Sequence, residues 1–185
     1  MVRVAIHLFV FFGLCASGAL AADAVERAVE SCWACHGAGA APKDPTLPII
    51  QGQQAAYLQK QLDDFRSGKR EDQIMSSMAE SIPPKENARV AAMIAALAWP
   101  KTGASSAPAP DSAVACQACH GADFMGGPSP EGVAPRLGGQ FAEYLEARMG
   151  SFARGEIASA VTMTAMMKAL DAAERTKIAR YLAGL

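Results

Sequence analysis

Cys32-Trp33-Ala34-Cys35-His36 and Cys116-Gln117-Ala118-Cys119-His120 are two copies of one five-residue spacing, C-x-x-C-H. On a helical turn this spacing sets two thiols on the same edge and places an imidazole just beyond them. Two such thiols can add across the two vinyl groups of a porphyrin, with the histidine beneath the iron. The pattern is the attachment signature of a covalent c-type haem. Cys32, Cys35, Cys116 and Cys119 are therefore candidate attachment residues, and His36 and His120 candidate iron ligands. Other uses of paired cysteines compete: a tetrahedral four-thiolate zinc site, two disulfides, or a redox-active dithiol. None of these calls for a histidine directly after the second cysteine in both copies.

The remaining cysteine and histidine sharpen the reading. Residues 1–22 have the form of an export signal, with Arg3 at the start, an apolar run from Val4 to Leu14, and small residues at Ala19-Leu20-Ala21 for cleavage near Ala21. A retained membrane anchor needs about 20 apolar residues, and this run is shorter. Leu14 is too bulky to precede a lipid-modified Cys15. The expectation is a protein exported to the periplasm, with Cys15 and His7 lost with the leader. Four cysteines then remain, all in the two motifs, and only His36 and His120 remain as histidines. No second imidazole is left for either iron, so the sixth position falls to Met, Lys, Tyr or Asn, or stays open.

The elements that must hold these motifs form a repeat. Pro48-Ile49-Ile50-Gln51-Gly52-Gln53 is echoed by Pro135-Arg136-Leu137-Gly138-Gly139-Gln140, Tyr57-Leu58 by Tyr144-Leu145, Phe65 and Gly68 by Phe152 and Gly155, and Met75 and Met78 by Met163 and Met166. Residues 101–112, rich in Pro, Ala and Ser, read as a linker. The organisation expected is a first domain over residues 23–100, the linker, and a second domain over residues 113–185, with the linker permitting independent folding. Apolar residues recur at helical spacing. Val25, Ala28, Val29 and Cys32 mark one helix. Residues 53–66 and 85–98 mark two more, with Met93, Ile94 and Leu97 on the apolar face of the last. The second half repeats these at 140–152 and 171–183. No alternating strand pattern competes, so the fold class is all-α. Arg66 and Lys69-Arg70, beside Asp63-Asp64 and Glu71-Asp72, read as a solvated helix end. The formal charge of −1 over 185 residues is mixed along the chain and excludes a nucleic-acid-binding basic tract.

A methionine thioether is a soft, neutral axial ligand that raises the iron potential relative to a second imidazole. Met93 reads as core, and Met125 and Met149 lack first-half counterparts. Two symmetric pairs remain, Met75 with Met163 and Met78 with Met166, each expected in the loop before the last helix of its half. Repeat symmetry does not choose between them.

The order C-x-x-C-H, Pro-x-Leu-x-Gly-Gln, Tyr-Leu, Met-x-x-Met, present twice with Ile50 in place of the first Leu, resembles the dihaem cytochrome c4 family. The resemblance covers essentially the whole mature chain. It implies two tandem class I cytochrome c domains, each wrapped around one covalent haem c, with the first methionine of each pair, Met75 and Met163, as the axial ligand. It also implies that the carbonyls of Pro48 and Pro135 accept a hydrogen bond from Nδ1 of His36 and His120, fixing the ring and raising its basicity. With both axial positions filled, such a protein moves single electrons and turns over no substrate of its own. The expected partners are redox proteins, a respiratory complex or terminal oxidase, with no nucleic acid and with peripheral membrane association allowed. The alternative is an electron-accepting subunit of a dehydrogenase, on the plan of flavocytochrome c sulfide dehydrogenase. A dihaem peroxidase fits the chain length poorly, and a thiosulfate-oxidising cytochrome needs a cysteine ligand that is not spare.

Overall fold

Apolar spacing of 3.6 residues places most of the chain in short helices around two separate cores. The computed structural model describes residues 16–104 and 106–185. Most of the expected leader, including His7 and Cys15, lies outside the described residues. The first half comprises α1 (Ala16–His36), α2 (Ala55–Arg66), α3 (Gln73–Ser81), a 3-10 turn (Pro84–Glu86) and α4 (Asn87–Ala95). The second comprises a 3-10 segment (Asp111–Cys116), α5 (Gln117–His120), the strands β1 (Gly127–Ser129) and β2 (Gly132–Ala134), α6 (Ala142–Arg154), α7 (Val161–Lys168) and α8 (Ala172–Ala183). Val25, Val29, Leu58, Ile82, Val90 and Ile94 bury together in the first half. Phe124, Leu145, Met149, Met167, Ile178 and Leu182 do so in the second. Among the described residues no helix is long and apolar enough to cross a membrane.

Several expectations change. The methionine pairs lie on helices, not loops, because each segment finds a partner for its first amide groups. The Asp72 carboxylate accepts from the N–H groups of Ile74 and Met75 at 3.1 and 2.9 Å, and Glu131 accepts from Thr162 N–H at 2.7 Å. Glu131 sits in the turn of an antiparallel hairpin, Gly127–Ser129 against Gly132–Ala134. That hairpin is short and rich in Gly and Pro, so it carries no alternating apolar signal. The helix expected over 85–98 splits, since Pro83-Pro84 opens it as a 3-10 turn and it ends at Ala95. Met93 is not core: it is 39% exposed, and Leu97 beyond the helix is exposed too.

The two halves meet over an extended contact. Residues 70 and 157 form an antiparallel bridge, and Ala158 N–H donates to the Lys69 carbonyl at 3.0 Å. Ser159 Oγ donates to Asp64 Oδ2 at 2.6 Å, an oxygen that Lys60 also holds at 2.5 Å. The Arg136 guanidinium lies 4.3 Å from the centre of the Trp99 ring. The expected solvated helix end is therefore corrected: Arg70 and Asp64 are buried because the second half covers them.

Candidate haem sites

The first C-x-x-C-H segment is the end of α1, and the second runs from the last residue of the 3-10 segment through α5. His36 closes α1 and His120 closes α5, and both rings are buried. Among the described residues the partner of each Nδ1 is a carbonyl oxygen, so each Nδ1–H donates: His36 to Pro48 O and His120 to Pro135 O, both at 2.9 Å. Burial pushes both imidazoles below their ordinary pKa, against the opposing pull of the proline carbonyls. The neutral ring with Nδ1 engaged keeps its Nε2 lone pair free for a metal. Burial likewise raises the pKa of Cys32 and Cys116. No disulfide joins any of the four motif cysteines to another. Among the described residues no three His, Cys, Asp or Glu side chains gather into a cluster, so the two cysteine pairs do not converge on one tetrahedral zinc site.

A continuous, mostly apolar cavity runs through both halves, bordered by Cys32, Cys35 and His36 at one motif and Cys116, Cys119 and His120 at the other. Met75, Met78, Met163 and Met166 all line it. The two methionine helices are pinned at their C-terminal ends by different arginines. Arg66, from α2, donates through Nη2 to the Ala79 and Ile82 carbonyls and to Asn87 Oδ1. Arg175, from α8, donates to the Met167 and Leu170 carbonyls.

Part of the cavity lining is polar. Tyr57 and Tyr144, equivalent in the repeat, line the cavity with Arg70 and Arg148. Arg70 Nη2 donates to the Tyr144 hydroxyl at 3.3 Å. Burial, with repulsion from Tyr144, pushes the Tyr57 hydroxyl up to about 12, and Arg70 pulls the other way. Burial opposes the charge on Arg70, but Tyr144 and Tyr57 together hold its pKa above the ordinary value. Among the described residues the Nε–H groups of Arg70 and Arg148 are buried without a partner. Buried donors lacking acceptors beside an apolar cavity suit the carboxylates of a porphyrin. Thiols, imidazoles, thioethers and orphaned guanidinium donors together fit a haem in each half.

Sequence reasoning missed the role of Gln53 and Gln140. Both are buried, and each reaches into the opposite half. Gln140 Oε1 accepts from Ile49 N–H and Gln140 Nε2 donates to Ile49 O, both at 3.0 Å. Gln53 Oε1 accepts from Arg136 N–H at 2.8 Å and Nε2 donates to Arg136 O at 3.0 Å. The only signal was the Gly-Gln pair at equivalent places in the repeat. Gly52 and Gly139 hold φ of +68° and +79°, and a Cβ on Gly52 would stand 2.9 Å from the Leu97 carbonyl. Glycine is required to turn the chain so that the glutamine crosses over.

The profile of the family described as cytochrome c matches residues 22–97 and again 112–185. A thiosulfate dehydrogenase electron acceptor of Stutzerimonas stutzeri is 34% identical over 145 residues, covering 69% of this chain. The chain spans 65% of that relative, less than two thirds of its length. A cytochrome c4 of Thiocapsa roseopersicina is 31% identical, covering 83% of this chain and 86% of the relative. Among solved structures, cytochrome c4 of Acidithiobacillus ferrooxidans matches with a TM-score of 0.74 at 26% identity, over 84% of this chain and 99% of that one. A thiosulfate dehydrogenase of Marichromatium purpuratum matches with a TM-score of 0.71 at 27% identity, over 87% of this chain and 39% of that one.

Proposed function

Since the chain belongs to the cytochrome c family, as two c4-like domains in tandem with two covalent haem c groups and an electron-carrying role, we propose that it is a periplasmic carrier passing single electrons between redox proteins. The observation that carries this reading is the pair of buried imidazoles, each turned by a proline carbonyl at 2.9 Å and facing a cavity with a methionine pair. Bound haem supplies the one-electron ferric–ferrous couple. Within the two domains, residues 23–100 and 113–185 joined by 101–112, Cys32, Cys35, Cys116 and Cys119 attach the two rings. His36 and His120 take one axial position, held in orientation by Pro48 and Pro135. Met75 and Met163 take the other, on the strength of the c4 resemblance, since the cavity receives both members of each pair. The apolar walls exclude water. Arg70, Arg148, Tyr57 and Tyr144 receive the propionates between the domains, where their donors compensate negative charge.

The partner expected from the c4 resemblance is a terminal oxidase. A second reading has a specific observation behind it: three proteins similar to this chain are named for thiosulfate dehydrogenase, two of them as its electron acceptor. On that reading the chain receives electrons from a sulfur-oxidising dehydrogenase before passing them on. Stopped-flow mixing separates these roles. The reduced protein is mixed with a haem-copper oxidase, and the oxidised protein with a thiosulfate dehydrogenase catalytic subunit plus thiosulfate. Fast oxidation in the first experiment supports the oxidase reading, and fast reduction in the second supports the acceptor reading. Steady turnover of thiosulfate or peroxide by the isolated chain overturns the carrier reading.

A further inference from the structure

The crossed glutamines touch the same peptide groups that orient the histidines. The Pro48–Ile49 peptide accepts from His36 through its oxygen and donates to Gln140 through its N–H. The Pro135–Arg136 peptide accepts from His120 and donates to Gln53 in the same way. The amide orientation of each glutamine is forced, because its oxygen meets an N–H and its nitrogen a carbonyl. A peptide whose N–H is held by a good acceptor becomes more polarised, and its carbonyl accepts more strongly. A stronger acceptor at Nδ1 makes an imidazole more electron-rich, which favours ferric iron.

We infer that Gln140 and Gln53 are crossed positioning residues: Gln140, in the second domain, sets the electron-donating strength of His36 in the first, and Gln53 does the same for His120. The two potentials are thereby tied to the domain contact, since separating the domains removes both acceptors at once. The inference rests on His36 and His120 being the iron ligands, which the low-spin spectrum of the unaltered protein tests separately.

The experiment measures the two midpoint potentials, each assigned to its domain by the ring-shifted NMR signals, in Gln140→Met and Gln53→Met holoproteins. Methionine keeps length and removes both amide groups. Gln140→Met is expected to raise the potential of the His36 haem, by up to about tenfold in the ferric–ferrous equilibrium, or about 59 mV for one electron. The His120 haem should stay put. Gln53→Met should give the converse. Gln140→Glu retains an acceptor for Ile49 N–H and is expected to shift the His36 haem the opposite way. If one methionine variant fails to fold, the other makes the same claim on the other haem. The control is Gln54→Ala, which removes a different cross-domain bond, Gln54 Nε2 to Met125 O at 2.8 Å. A control shift as large as that of Gln140→Met would trace the effect to a loosened contact and overturn the inference. So would a shift confined to the glutamine's own domain, an equal shift of both haems, or none.

Discussion

Replacing Arg66 by methionine isolates the device that holds α3, and hence Met75, against the first domain. Arg66 donates to the Ala79 and Ile82 carbonyls and to Asn87 Oδ1, and its side chain is 21% exposed. Ala79 and Ile82 are buried, so their carbonyls lose their donor when the guanidinium goes. An orphaned buried acceptor costs about 1–3 kcal/mol. Two of them, partly relieved by water entering at the half-buried end, give a loss of about 2–4 kcal/mol. The pairing with Asp63 adds little, because that carboxylate is 52% exposed. Against a typical total of about 5–15 kcal/mol, the loss is a large share. The expected outcome is local. The near-infrared sulfur-to-iron band should weaken by about half at temperatures where the second haem is intact, and the first haem should gain affinity for external ligands. Chemical denaturation followed at the two haems separately measures the loss. The control is Arg175→Met, which should give the mirror result at the second haem through the Met167 and Leu170 carbonyls. A change in the first domain's stability below about 0.5 kcal/mol, within the range of an ordinary surface substitution, would refute the argument.

Two further outcomes are expected. Met75→Ala and Met163→Ala should each abolish about half of the same near-infrared band and open a high-spin, ligand-binding site, while Met78→Ala and Met166→Ala keep the band; spectra of the four variants decide the axial ligand. The Tyr57 hydroxyl is held at about 12 in the folded chain, above its unfolded value of about 10. Its contribution is fully present below pH 10 and is lost as pH rises towards 12, because the unfolded chain releases the proton first. For a half-buried ring the loss is at most about 2 kcal/mol, and Tyr57→Phe should remove that part of the alkaline decline in the unfolding free energy.

Both the all-helical class and the family were legible in the sequence, because the features that carry them are local. C-x-x-C-H works within one turn of helix, and helix periodicity needs only a dozen neighbouring residues. The repeat needs only the chain compared with itself. Helix ends were less legible. The helices after Gln53 and Gln140 begin two residues later than periodicity suggests, at Ala55 and Ala142, because those glutamines are occupied elsewhere. Within the charged run from Asp63 to Asp72, the solvated reading holds for Asp63, Lys69, Glu71 and Asp72 and fails for Asp64 and Arg70 for the same kind of reason. Charges read as solvated unless a partner is known, and the partners of Asp64 and Arg70 are Ser159 and Tyr144 in the other half. Met93 shows the converse, an apolar side chain in helical phase that the fold leaves with too little to pack against. The sequence by itself determined that the chain carries two haem-attachment motifs and two symmetric methionine pairs. Tertiary structure alone decided how the two sites are joined, because the side-chain bonds that join the halves pair residues 71 to 95 positions apart, and no local pattern records such a pairing.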